Sequence, residues 1–193
     1  MKKIKSIQTT LATLLLIGML YACAKVPMTG RRQIKLFPSS TMLEMSTLSY
    51  KQVLDTASII RSGQQAEMVK RVGNKIATAT ERYLKENAFE DRLDDFSWEF
   101  NLIQDNSLNA WCMSGGKVAF YTGILPVCED ETGIAVVMGP EVAHAIAWHG
   151  NERVSQSMTL QGLATDTDLF MLIKQQPDAA RQLANTAFGV GGQ

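Results

Sequence analysis

Residues 135–153 read Ala-Val-Val-Met-Gly-Pro140-Glu141-Val-Ala-His144-Ala-Ile-Ala-Trp-His149-Gly150-Asn-Glu-Arg153. Ala, Val and Met dominate the first half, and three acids, Glu129, Asp130 and Glu131, stand just ahead of it. Negative charge at that point suits the positive end of a helix dipole. The pattern predicts a helix that runs to about Trp148 and stops near Gly150 and Asn151. On such a helix, residues four apart share a face. Two histidines at that spacing can hold one metal ion, and a glutamate beside the first can take a proton from a metal-bound water. Glu141 and His144 occupy the second and fifth places of that H-E-x-x-H pattern. Pro140 occupies the first. Taken alone, Glu141 and His144 are an ordinary helical pair. His149 lies five residues beyond His144, about 140° round a continuous helix, and is expected to face elsewhere.

Proline supplies no imidazole and no N–H, and its ring meets the carbonyl of Val136. In a helix interior that costs about 3 kcal/mol and predicts a kink between the helix entry and His144.

Upstream, Asn109 to Met113 and Lys117 to Thr122 predict a hairpin around Ser114-Gly115-Gly116. Phe96, Trp98, Phe100 and Leu102 alternate with polar residues, as in a strand with one buried face. Two earlier helices are expected. One follows the capping-box spacing Thr41-x-x-Glu44 and runs through Ile60. The other runs from about Gln65 to Asn87, with Met68, Val72, Ile76, Tyr83 and Leu84 at helical spacing. Residues 156–193 read as helical with a break near Pro177.

The chain has 193 residues, 46% hydrophobic and 20% charged, with 19 basic and 19 acidic side chains. This describes one globular domain with a substantial core. Neutrality leaves no electrostatic footprint for nucleic acid. Lys2, Lys3 and Lys5 precede the apolar run Leu11–Leu20, which is too short to span a bilayer and reads as a signal segment. Leu20-Tyr-Ala-Cys23 resembles a bacterial lipobox. It predicts residues 1–22 as a leader, Cys23 as a lipidated membrane anchor, and 23–40 as a tether to a domain over 41–193. A plain secretory signal or an uncleaved anchor, with Cys23 incidental, is the alternative. Without the leader 16 basic residues face 19 acidic ones, a net charge of −3. Cys112 and Cys128 could pair in an oxidising compartment, but two buried free thiols is the reading taken.

Together, Asn109–Leu125 and the run Ala135–Arg153 resemble the membrane-associated zinc endopeptidases. These include the CAAX prenyl endopeptidases, the heat-shock protease HtpX and periplasmic lipoproteins of envelope quality control. The resemblance covers nearly the whole chain after the leader. It implies an α+β, zincin-like fold, mostly helical with a small antiparallel sheet and an active-site helix. It implies zinc as cofactor, Glu141 as general acid/base and His144 as a zinc ligand. Gly115, Gly116, Lys117, Val118, Ala119, Phe120 and Tyr121 would form the edge strand that pairs with substrate backbone. Protein or peptide substrates and a lipid-anchored, periplasm-facing place in the cell envelope follow from the same resemblance.

The family takes a third ligand from a later glutamate. No glutamate follows Glu152, and the later acids are Asp166, Asp168 and Asp178. Asp166 and Asp168 sit in a Thr-Asp-Thr-Asp run that reads as a solvated cap. The glycine-rich Gly189-Val-Gly-Gly192 predicts a domain that is incomplete at the C-terminus. Three functions stay open: a zinc endopeptidase, a non-catalytic binding or adaptor protein on the same fold, and a truncated remnant. The expectation is no protease activity from this polypeptide, and no full restoration by Pro140→His alone.

Overall fold

A computed structural model of the chain describes residues 23–26, 30–162 and 165–190. The leader, and so the expectation of a signal segment, lies outside them. Two short strands, β1 (Cys23–Lys25) and β2 (Arg32–Ile34), pair antiparallel. The lead-in is therefore not irregular throughout, and Val26 and Phe37 are buried.

Helix α1 (Ser39–Thr56) starts at Pro38, with no side-chain cap. The expected capping box does not form. Thr41 donates instead to Asp166, and Glu44 pairs with Lys174. The helix also stops short of the expected Ile60, because Ile59–Ile60 is a strand, β3. Helix α2 (Gln64–Glu86) matches its expected span closely. Its deepest side chains are Ala66, Val69, Val72 and Leu84. Met68, Ile76 and Tyr83 flank them, partly buried.

A 3-10 segment (Glu90–Asp95) leads to β4 (Glu99–Ile103). Phe96 and Trp98 precede the strand proper, yet the alternating rings still stack, with centroids 4.8 Å apart for Phe96–Trp98 and 6.1 Å for Trp98–Phe100. The expected hairpin is present as β5 (Ala110–Met113) and β6 (Lys117–Tyr121). Gly115 and Gly116 turn it at φ of +84° and +77°, conformations that side chains disfavour.

The sheet order is β3-β4-β6-β5. The expected antiparallel sheet is mixed, since β4 and β6 run parallel. A parallel pair needs a crossover, and β5 with its turn supplies it.

After a helical turn, α3 (Leu125–Cys128), comes α4 (Glu131–Ile146). Asp130 caps it, accepting from the N–H groups of Thr132 and Gly133. Pro140 lies inside α4, which is continuous through it. Three helices follow: α5 (His149–Leu160), α6 (Asp166–Gln175) and α7 (Pro177–Phe188). Helix α4 ends close to the expected Trp148, but Gly150 and Asn151 are not loop residues, because both lie within α5. Asp166 and Asp168 sit in the first turn of α6, where Asp168 and Thr165 form a capping box.

Two apolar clusters pack on opposite faces of the sheet. Val118 and Phe120 join α2 and α4 on one face. Ala119, Tyr121 and Trp111 join α1, α5, α6 and α7 on the other. Cys112 and Cys128 are both buried free thiols.

Candidate functional site

Helix α4 ends at Ile146, and the chain changes direction at Trp148, whose φ of +56° and ψ of +30° are left-handed. For a bulky residue this conformation costs about 1–3 kcal/mol and must be held by its surroundings. Its consequence is local and large. His149 opens a new helix axis, and its Nδ1 lies 2.7 Å from Nδ1 of His144. The expectation that His149 faces away from His144 is corrected. The 140° figure holds only for an unbroken helix.

The two imidazoles open on a cavity of about 330 Å³, lined also by Leu108, Asn109, Cys112, Glu141, Arg153 and Phe188. Glu141 stands half-buried in it. Loss of water raises its carboxyl above the ordinary range, against the opposing pull of His144 and Arg153. His149 is pushed down, first by burial and then by the neighbouring His144. That favours the neutral ring, which a hydrogen bond between two Nδ1 atoms requires of at least one partner. Burial drives the Cys112 thiol far above its usual range, and Glu141 pushes the same way. Cys112 is therefore a thiol and not a nucleophile at neutral pH.

Gly115–Tyr121 do not form the expected edge strand. β6 is central, paired with β4 on one side and β5 on the other. All five of its residues are buried. Lys117 Nζ, 2.5 Å from Glu99 Oε1, also donates to the Ser97 carbonyl. Gly116 faces Trp98 so closely that a Cβ would come within 2.5 Å of the ring. These residues build the sheet. β5 is the terminal strand on this side of the sheet, and its Cys112 lines the cavity with Glu141 and His144. Periodicity identified both hairpin strands but could not say which one β4 would join.

The donor set of the site can be tested directly. Pro140 offers no ligand atom, and His144, whose Nδ1 bonds His149, keeps only Nε2 as a donor. Among the described residues no group of three His, Cys, Asp or Glu is placed to hold a metal ion. Asp166 and Asp168 are committed to Thr41 and Thr165. The residues present do not fit the three-ligand zinc site that the resemblance implies.

A family model described as peptidase family M48 matches residues 64–189, from the start of α2 to the end of α7. The chain belongs to peptidase family M48. Among its relatives, "Mitochondrial metalloendopeptidase OMA1" of Schizosaccharomyces pombe is 39% identical over 74 residues, covering 38% of this chain and 22% of that protein. The proteins of the same name from Saccharomyces cerevisiae and Arabidopsis thaliana are 40% and 32% identical over 67 and 74 residues. These stretches cover 34% and 38% of this chain, and 19% and 15% of those proteins. The matched part of this M48 chain thus spans about a fifth or less of their length. M48 enzymes are zinc metalloendopeptidases that act on proteins or peptides, so the coarse family reading stands. The expected location in a bacterial envelope facing the periplasm does not, because these relatives are mitochondrial by name. No helix among the described residues is long and apolar enough to cross a membrane.

Proposed function

We propose that this M48 chain binds extended polypeptide in the groove beside β5 and does not hydrolyse it. The observation that carries this reading is Pro140 in the first ligand position, which leaves His144 as the one family ligand among the described residues. An M48 peptidase activates water on a metal, and this donor set does not hold one. What the fold retains is the terminal strand β5 beside a cavity of about 330 Å³. Such an edge accepts an extended peptide by main-chain hydrogen bonds, while the cavity receives alternate side chains. Glu141 and Arg153 would then contribute charge to the groove and carry no proton in a reaction.

The test is a paired assay on the purified chain. After incubation with zinc and exhaustive dialysis, metal content and cleavage of fluorescent casein are measured. The expected result is less than stoichiometric zinc and no cleavage, with saturable casein binding by anisotropy. Stoichiometric zinc, with casein cleavage abolished by Glu141→Gln, overturns the reading. Attachment to a membrane surface through a lipidated Cys23 is a separate proposal carried by Leu20-Tyr-Ala-Cys23. Intact mass of the mature protein tests it: an unmodified Cys23 rules it out.

A further inference from the structure

Trp148 is the one bulky aromatic among the described non-glycine residues at positive φ; the others are Ala88 and Glu129. Its ring carries a cation on each side. The Arg92 guanidinium lies 3.3 Å from the ring centroid and Lys35 Nζ lies 3.4 Å from it. Two groups that close to one centroid cannot share a face without overlapping, so the indole is sandwiched. Arg92 is buried, and its Nη1 also donates to the carbonyl of Ile146, the last residue of α4, at 2.9 Å. One side chain therefore closes the end of α4 and packs on the residue that breaks it.

Lys35 belongs to a second set of ties. The segment before α1 runs along the start of α5. Arg31 makes a two-pronged pair with Glu152. The Leu36 N–H donates to Ser155 Oγ, and Asn151 Nδ2 donates to the Phe37 carbonyl at 2.7 Å. Residues 31–37 thus form a strap along the turn of α5 that carries His149.

From this geometry we infer that Lys35, Trp148 and Arg92 form a positioning clamp for the histidine pair. The clamp holds Trp148 in its left-handed conformation. That conformation swings the axis of α5 away from α4, and the swing sets His149 Nδ1 against His144 Nδ1. Neither Lys35 nor Arg92 lines the cavity; Lys35 reaches it through Trp148, and Arg92 through Trp148 and the Ile146 carbonyl. The inference rests on the groove reading only in taking the two imidazoles as part of the groove wall. Its readout needs neither peptide nor metal.

The experiment is NMR on the 15N-labelled full chain in metal-free buffer near neutral pH. The wild type should show a 15N–15N coupling across the Nδ1–H···Nδ1 bond, and an imidazole proton slow enough to observe. Trp148→Ala should remove both, while Trp148→Phe, which keeps a face for the cations, should retain them. Retention in Trp148→Ala overturns the inference, as does loss in Trp148→Phe. If Trp148→Ala does not fold, Lys35→Met decides. Losing one cation–π contact should lower the equilibrium constant for the bonded state about two- to fivefold, read as a weaker coupling. An unchanged coupling in Lys35→Met overturns the clamp whatever the casein and zinc assays show.

Discussion

Glu141 is a carboxyl placed where water is scarce and no cation is bonded to it. Its raised pKa means that the folded chain holds its proton more tightly than the unfolded chain does. Stability from this group is therefore fully present at low pH. It declines as pH climbs from the ordinary carboxylate range through the raised folded value. Glu141→Gln should accordingly be more stable than the wild type at pH 7, and the gap should close as pH falls below the carboxylate range. Urea unfolding at a series of pH values measures this, and a gap that widens toward acid refutes it. Pro140, one residue earlier, was legible as a missing ligand from the sequence. Pro140 and Val136 lie on the exposed side of α4. The carbonyl of Val136 that loses its partner can therefore be satisfied by water, and the helix continues.

At the scale of elements, the sequence placed the end of α4 but not the immediate restart of α5 at His149. Glycine is the usual residue just past a helix end, so Gly150 was the expected stop. The stop is at Trp148, held from outside by Arg92 and Lys35. Gly150 has a different task. A Cβ at that position would lie 2.2 Å from the Phe188 ring, so its lack of a side chain lets α5 and α7 approach. Gly150→Ala should destabilise the fold by about 1–3 kcal/mol through overpacking. Trimming the ring with Phe188→Leu in the same chain should recover part of that loss. Denaturant midpoints of the single and double variants check it, and additive losses would show that the two positions are not coupled. The strand Ile59–Ile60 escaped the sequence reading for a related reason. Two residues carry no period, and only the pairing with Leu102 and Ile103 makes them a strand.

Across the whole molecule, the sheet is the partition between two cores. Alternate residues of β6 serve opposite sides, Val118 and Phe120 facing one cluster and Ala119 and Tyr121 the other. Neither core can lose its packing while the other keeps an intact sheet. Thermal unfolding should therefore be a single transition. Tryptophan fluorescence, led by the fully buried Trp111, and far-UV circular dichroism should give coincident midpoints. Two separated transitions would show that α5, α6 and α7 unfold independently of α2 and α4. Much of this architecture was readable in advance. The apolar periodicity of α2, the hairpin around Ser114-Gly115-Gly116 and the M48-like helix each follow from a local rule, in which side-chain spacing matches backbone geometry. The site was readable only in its chemistry: Glu141 and His144 as reactive types, and Pro140 as a lost donor. Two of its decisive features depend on residues far apart in sequence. β4 chooses β6 as its partner, which leaves β5 as the terminal strand beside the cavity. Lys35 and Arg92 reach Trp148 from more than fifty residues away and hold the turn that brings His149 to His144. A period along the chain records which face an element buries, but not its partner or the side chains that bend it, because those contacts exist only once the chain has folded.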